Sequence, residues 1–310
     1  MSKFFEAASK LNPNLVESVL SNAPQTTHAM PTASAAPPLP PPAPPQPRVE
    51  QGIVESVATH TKLVLHAGEF SIAGCPASPA LPFQGDTEDA AEGYKLLRTK
   101  ILQHPRNPRF VCVSSAMTGD GKSITAINIA GVLALKENTR VLLLDCDLRH
   151  PTIQTLLGLP EGCVGTAEVL AGKLAWHQAI LRCKEFPNLY VAPAGQSHGR
   201  AAELLDSAAW RSGCQHVRTV FDYVVVDSPP IGMVADYDLI QEWCDGVVIV
   251  ARPNHTDRGS FNKMVQSIAP EKNLGVVLNC VERWRLWQAP HDYRYAYAER
   301  SSERSAHRRN

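Results

Sequence analysis

The chain has 310 residues, with 30 basic and 30 acidic side chains, so its formal net charge is zero. This balance argues against a protein built to bind nucleic acid or an anionic membrane surface. No apolar run approaches the ~20 residues of a membrane-spanning helix, and the N-terminus lacks the features of a cleaved signal peptide. The eight cysteines are scattered without a Cys-x-x-Cys pair, which favours a reduced, cytoplasmic protein.

The first 85 residues divide into three segments by composition. Residues 1–22 carry apolar side chains at roughly helical spacing and are predicted to form a short helical segment. Residues 23–51 are dominated by proline, alanine and polar residues, which cannot build a core, so an extended linker is predicted there. Residues 52–85 alternate only weakly between apolar and polar side chains and are poorly defined, with a strand or two possible.

A helix of about four turns is predicted within the sequence DTEDAAEGYKLLRTKIL, with Asp86 or Thr87 as its N-cap. Glu92, Lys95 and Arg98 are spaced three residues apart, so they lie along one stripe of this helix. On spacing alone, the stripe is predicted to be a solvated charged face.

The stretch Val111–Ser123, VCVSSAMTGDGKS, has the form of a phosphate-binding loop between a strand and a helix. Its glycines permit a tight loop, and the helix N-terminus that follows favours a bound anion. Lys122 adds a positive charge for terminal phosphates, and the Ser123 hydroxyl can ligate magnesium. A chance match is the alternative, but the order of strand, loop and helix argues against it. The residues predicted to bind a nucleotide here are Thr118, Gly119, Asp120, Gly121, Lys122, Ser123 and Ile124.

Two later strands end in carboxylates. The apolar run TRVLLL leads to Asp145 and Asp147, and the run FDYVVVD ends in Asp227 in the manner of a Walker B strand. Open α/β sheets bind ligands at the carboxyl ends of their strands. These acids are therefore predicted to meet Lys122 and Ser123 at one magnesium–nucleotide site. For Asp145 and Asp147, the alternative is an ordinary turn whose acids face solvent.

At least six apolar runs of strand length alternate with helical stretches over residues 86–282, the predicted P-loop domain. The alternation predicts an α/β fold with a doubly wound, mostly parallel sheet. Helical stretches are predicted at 153–157, 166–170 and 201–217. A polar, arginine-rich tail follows at 283–310 and is predicted to be mobile. It carries three closely spaced tyrosines, Tyr293, Tyr295 and Tyr297.

At these motifs the chain resembles the bacterial tyrosine kinases associated with capsule and exopolysaccharide export. SSAMTGDGKS resembles the family's Walker A motif, LLLDCDLRHP its Walker A′ motif and DYVVVDSPPI its Walker B motif. The stripe on the first predicted helix resembles the family's ExxRxxR motif. The resemblance implies a P-loop fold of ParA/MinD-like architecture and an ATP- and Mg²⁺-dependent protein-tyrosine autokinase. Such an enzyme would regulate the chain length, polymerisation or export of a polysaccharide.

The resemblance also implies roles for single residues. Lys122 would stabilise the β- and γ-phosphates, Asp145 would help to activate the incoming tyrosine hydroxyl or contact the metal, and Asp147 would support the metal shell. The further residues implied are Ser123, Asp145 and Asp227 for magnesium, Asn279 near the base, Glu92, Lys95 and Arg98 for ring-like self-association, and Tyr293, Tyr295 and Tyr297 as autophosphorylation sites.

The partners that the resemblance implies are a membrane-bound activator of the polysaccharide co-polymerase type, further copies of the chain and a tyrosine phosphatase. Because the sequence has no fused transmembrane segment, the chain is expected to be a stand-alone cytoplasmic kinase. It would lie at the inner face of the membrane through that activator, and residues 1–50 would dock it.

Two other functions stay open. A ParA/MinD-like ATPase would carry a second lysine early in the phosphate loop, where this chain has Met117. A catalytically weak, nucleotide-dependent scaffold of the polysaccharide machinery would account for the small number of tail tyrosines. Lys95 also departs from the family, which has arginine there, and this weakens a bidentate contact across an interface.

Overall fold

The computed structural model describes residues 67–72 and 88–281. The helical segment predicted at 1–22, the linker at 23–51 and the tail with Tyr293, Tyr295 and Tyr297 lie outside the described residues. The candidate helix caps Asp86 and Thr87 lie outside them as well. The division of the chain into these segments therefore stays a prediction.

Eight strands form one sheet in the described part. They are β1 (Gly68–Phe70), β2 (Phe110–Ser115), β3 (Val141–Asp145), β4 (Leu181–Cys183), β5 (Leu189–Ala192), β6 (Tyr223–Asp227), β7 (Gly246–Ala251) and β8 (Asn273–Leu278).

The strand order across the sheet is β1-β4-β5-β3-β6-β2-β7-β8. The six strands from β5 to β8 in this order pair in parallel, which confirms the doubly wound, mostly parallel sheet. β4 pairs with β5 in the antiparallel sense, and β1 pairs with β4 in parallel. β1 and β4 have three residues each. β1 lies within residues 52–85, where a strand or two is expected, whereas β4 is too short for a periodic pattern to reveal it.

Nine helices lie within the described residues: α1 (Glu88–Leu102), α2 (Lys122–Ala134), α3 (Ile153–Leu156), α4 (Thr166–Leu170), α5 (Trp176–Ala179), α6 (Ala201–Leu205), α7 (Ala208–Val220), α8 (Asp236–Gln241) and α9 (Arg258–Ser267). Within residues 67–72 and 88–281, no helix combines the length and the hydrophobicity that crossing a bilayer requires.

The stretch predicted as helical at 201–217 is helical but interrupted, because two helices occupy it. α6 ends at Leu205, and Ser207 then takes an extended conformation as the N-cap of α7. The Ser207 Oγ accepts a hydrogen bond from the Trp210 backbone N–H at 3.1 Å. A serine that satisfies a free N–H at a helix start favours a new helix over a continued one.

Both faces of the sheet are covered by helices. On β3, Leu142 and Leu144 belong to one buried apolar cluster and Val141 and Leu143 to the other, as the alternation of strand side chains requires. α7 contributes to the first cluster, and α1, α2 and α3 contribute to the second. The unbroken apolar strands in the sequence are thus explained by burial on both sides.

The parallel register brings the predicted acids together. Asp145 on β3 lies opposite Asp227 on β6, and Asp227 lies opposite Val113 on β2, just before the phosphate loop. All three strands therefore end at one edge of the sheet, where open α/β folds bind ligands.

Candidate active site

The phosphate loop connects the end of β2 to the first residue of α2, Lys122. Gly119 and Gly121 have φ angles of 85° and 94°, a conformation that side chains other than glycine rarely adopt. A Cβ on Gly121 would also lie only 1.9 Å from Asn279 Nδ2. Both glycines are therefore required by the path of the loop, as the sequence predicted.

Lys122 is buried among carboxylates. Its Nζ lies 2.8 Å from Asp147 Oδ2 and 3.9 Å from Asp227 Oδ1. Burial alone would lower the pKa of Lys122, but the charges of Asp227 and Asp147 outweigh it and raise the pKa. The lysine is therefore fully charged at neutral pH and placed at the N-terminus of α2.

Asp145 and Asp227 are fully buried and poorly satisfied. Asp145 Oδ1 accepts a hydrogen bond from the Asp147 N–H at 3.1 Å. Within the described residues, Asp145 Oδ2 and both carboxylate oxygens of Asp227 are left without a hydrogen-bond partner. Burial raises the pKa of Asp227 to about 6, and burial together with the charge of Asp227 raises that of Asp145 well above its usual value.

The unsatisfied oxygens fit a divalent cation. The described residues hold no group of three or more histidine, cysteine or acidic side chains that could bind a metal by itself. Mg²⁺ commonly uses only one or two carboxylates together with nucleotide phosphates and water. Asp145 and Asp227, with the Ser123 hydroxyl 3.4 Å from Lys122 Nζ, supply that partial set.

Asp120 was predicted to bind the nucleotide, but its side chain is engaged elsewhere. Its buried carboxylate accepts hydrogen bonds from the Met117 N–H at 3.0 Å and from Thr256 Oγ1 at 2.7 Å. Its Oδ1 also lies 3.0 Å from His255 Nδ1. The carboxylate of Asp120 is therefore not the part of this residue that would contact a nucleotide.

The other predicted nucleotide residues lie in the loop or next to it. Thr118 is exposed, and Ile124 is half-buried in the first turn of α2. Asn279, just after β8, donates from Nδ2 to the Asp120 carbonyl at 3.0 Å. The structure thus places Asn279 beside the phosphate loop.

The sequence motifs did not reveal a salt bridge next to the site. Arg149, two residues after Asp147, donates from Nε to Asp236 Oδ2 at 2.7 Å and from a second nitrogen to Oδ1 at 2.9 Å. Asp236 is fully buried at the start of α8. The pair joins the segment after β3 to the segment after β6. In the sequence, the only signal for it is the arginine that follows the DCD sequence.

The charged stripe of α1 lies on the surface. Glu92 and Lys95 are exposed and form a 2.6 Å salt bridge along the helix, and Arg98 is half-buried. Leu96, beside them, exposes 58% of its surface. The salt bridge of this stripe joins two of its own residues and does not involve the phosphate loop.

A phosphate loop at the centre of a parallel α/β sheet, facing two acid-tipped strands, defines a P-loop nucleotide-binding protein. A family model described as an AAA domain matches residues 108–274, more than half of the chain. Tyrosine-protein kinase YwqD of Bacillus subtilis (strain 168) is 35% identical over 193 residues, which cover 61% of this chain and 80% of that protein. The chain belongs to this family of bacterial tyrosine kinases.

Two further similarities extend the comparison. The kinase domain of the Escherichia coli tyrosine kinase ETK has a similar structure, with a TM-score of 0.57 and 25% identity over 63% of this chain and 76% of that one. The succinoglycan biosynthesis transport protein ExoP of Rhizobium meliloti (strain 1021) is 31% identical over 201 residues. These cover 62% of this chain but only 25% of ExoP.

Proposed function

We propose that the chain uses ATP and Mg²⁺ to phosphorylate protein tyrosines, including its own, in polysaccharide biosynthesis. The observation that carries this proposal is the contact of Lys122 with Asp147 at the start of α2, beside carboxylate oxygens that lack partners. Such a site fits a phosphate chain with its metal. Membership of the tyrosine kinase family supplies the reaction type.

Phosphoryl transfer needs positioning and charge neutralisation more than covalent chemistry by the protein. Lys122 would neutralise the terminal phosphates, and Asp147 holds its ammonium group in place until they bind. Ser123, Asp145 and Asp227 would hold Mg²⁺, which neutralises charge on the phosphates when it is bound. Thr118, Gly119, Gly121 and Ile124 would line the nucleotide, with Asn279 near the base.

Asp145 would help to activate the acceptor tyrosine hydroxyl, or else contact the metal. Burial and the charge of Asp227 raise the pKa of Asp145, and a carboxylate with a raised pKa is a stronger base than an exposed one. Asp145 Oδ2 has no hydrogen-bond partner among the described residues, so it is available either for this role or for contact with the metal. Tyr293, Tyr295 and Tyr297, delivered from a neighbouring copy, are the proposed acceptors.

The proposed partners follow from the same family. ExoP, a protein named for transport, carries a region similar to this chain in a quarter of its length. This supports a membrane-bound partner of the polysaccharide co-polymerase type, which would hold the kinase at the inner face of the membrane and influence chain length or export. A tyrosine phosphatase would reverse the modification.

Self-association is proposed to use the stripe of α1. Replacing Glu92 by Ala removes an exposed charge from this stripe, so light scattering should show a shift of any oligomer toward monomer. Lys263, exposed on α9, offers a control position outside the stripe. An oligomer that is equally stable in Glu92→Ala and in Lys263→Ala would contradict this assignment.

The test of the proposed function is phosphopeptide mass spectrometry of the full chain after incubation with Mg-ATP, beside the Lys122→Met variant. Phosphate on Tyr293, Tyr295 or Tyr297 in the wild type alone is the expected result. If nucleotide binds but no phosphotyrosine forms, even with the cytoplasmic segment of an activator present, the kinase proposal fails and the scaffold function replaces it.

A further inference from the structure

Asp120 is a fully buried acidic residue in the phosphate loop, and the phosphate chemistry does not account for its carboxylate. A carboxylate close to bound phosphates is repelled by their negative charge unless hydrogen-bond donors neutralise it. Three donors do so here. The Met117 N–H bonds to Oδ2, and Thr256 and His255 both contact Oδ1.

The Thr256 hydroxyl makes two hydrogen bonds, one as donor and one as acceptor. Its Oγ1 donates to Asp120 at 2.7 Å and accepts the Arg252 N–H at 2.8 Å. A hydroxyl has one proton to donate, so the bond from Arg252 leaves that proton for Asp120. The segment after β7 is thus built to present this hydroxyl to the phosphate loop.

His255 covers the loop next to Thr256. A carboxylate oxygen can only accept, so the proton of the 3.0 Å contact lies on His255 Nδ1. The other side of the ring faces Gly119, where a Cβ would lie 3.4 Å from Nε2. The ring therefore packs against the glycine that has the left-handed conformation.

Asn279 holds the same residue through its backbone, since its Nδ2 donates to the Asp120 carbonyl at 3.0 Å. We call Asp120, His255, Thr256 and Asn279 the Asp120 bracket. Residues that follow the neighbouring strands β7 and β8 thereby form hydrogen bonds with one residue of the phosphate loop. The carboxylates of β3 and β6 lie on the other side of that loop in the strand order.

We propose that the Asp120 bracket fixes the phosphate loop in its nucleotide-binding conformation, with Thr256 and His255 acting as positioning residues through Asp120. A loop with two left-handed glycines loses much conformational freedom when it closes around a ligand, and a loop that is already ordered avoids that cost on binding. The inference rests on the proposed function, because it assumes that this loop binds the nucleotide.

The test compares Thr256→Val, which keeps the shape but removes the hydroxyl, with Thr256→Ser, which keeps the hydroxyl. Calorimetry on the full chain should show Mg-ADP affinity weakened roughly tenfold in Thr256→Val, the weight of one hydrogen bond to a charged group. Thr256→Ser should stay within about twofold of the wild type. In autophosphorylation assays KM for ATP should rise in Thr256→Val while kcat stays nearly unchanged, as expected for lost uniform binding.

A purely structural role would lower the melting temperature of Thr256→Val without changing nucleotide affinity, and that result would overturn the proposal. His255→Ala provides a second variant should Thr256→Val fail to fold; several-fold weaker binding supports the proposal, and unchanged binding overturns it. Failure of the proposed function is distinguishable, since wild type that binds Mg-ADP no better than Lys122→Met would refute the nucleotide site itself.

Discussion

Asp120 and Asp227 are both fully buried aspartates beside the same phosphate loop, yet their surroundings are opposite. The Asp120 carboxylate has donors from Met117, Thr256 and His255. Among the described residues, no direct hydrogen bond of good geometry reaches either oxygen of the Asp227 carboxylate; Ser123 and Ser228 act only to lower its pKa, and Lys122 Nζ lies 3.9 Å away. The number of donors, rather than burial, therefore separates a carboxylate that shapes the loop from one that is available to a cation.

This difference in hydrogen bonding also affects the stability of the fold. A buried charge with few hydrogen-bond partners is costly, so burial raises the pKa values of Asp145 and Asp227 above those of exposed acids. A protein that maintains such a pair gives up stability in the absence of a cation. Binding of a cation would remove that cost, which couples the fold to the ligand.

The largest effect on activity is expected from a substitution of Lys122, which begins the helix after the phosphate loop and lies beside Asp227. Lys122→Met should lower the rate of phosphotransfer by roughly a hundredfold or more, because it removes a positive charge already positioned to stabilise the phosphates. The rate of phosphotyrosine formation at saturating Mg-ATP measures this, with circular dichroism as the control for folding. A folded variant with full activity would refute the site.

A change with two opposite consequences is expected at Asp145. In Asp145→Asn the amide oxygen can keep the bond from the Asp147 N–H, while its NH₂ group replaces the unsatisfied Oδ2 near Asp227. Mg²⁺-dependent nucleotide binding should weaken by about tenfold or more, as one lost charge contact would predict. In EDTA the melting temperature should rise by roughly 2–4 °C, the shift for about 1 kcal/mol in a domain of this size.

Calorimetry and thermal melting, each with and without Mg²⁺, check both parts of this prediction. Asp238→Asn is a matched control, since Asp238 is an exposed acid on α8. If the EDTA form of Asp145→Asn melts below the wild type, the unsatisfied carboxylate is not a source of instability.

The smallest effect concerns a third carboxylate, Glu185, which resembles Asp120 in having donors. Burial acts to raise the pKa of Glu185, but hydrogen bonds from the Ser71 hydroxyl and the Ile72 N–H outweigh it and lower the pKa to about 2. Because the pKa is lower in the folded state, its stabilising contribution is present above pH 4.5. It is lost as the pH falls from about 4.5 toward 2.

Urea unfolding of the wild type and Glu185→Gln tests this. The wild type should be the more stable protein at pH 7, and the difference should shrink as the pH falls to 3. A difference that does not change with pH would show that charge at Glu185 contributes nothing.

The sequence predicted the parallel sheet and the carboxylate side of the site because both depend on local patterns. Val141–Asp145 and Tyr223–Asp227 are apolar runs that end in acids, and parallel strands end at a common edge. The Asp120 bracket could not be predicted from the sequence. Asp120 and Thr256 are 136 residues apart, and the sequence around Thr256 matches no motif. The helix break at Ser207 was missed because the apolar spacing continues across it.

We propose that the metal binds to the carboxylates left without hydrogen bonds, rather than to buried carboxylates in general. Anomalous diffraction from a crystal of the protein with ADP and Mn²⁺ tests this most directly. We expect one manganese peak in contact with Ser123 and with Asp145 or Asp227, and no peak at the Asp120 carboxylate. A peak at Asp120, or a metal that contacts neither Asp145 nor Asp227, would contradict this assignment of the metal site.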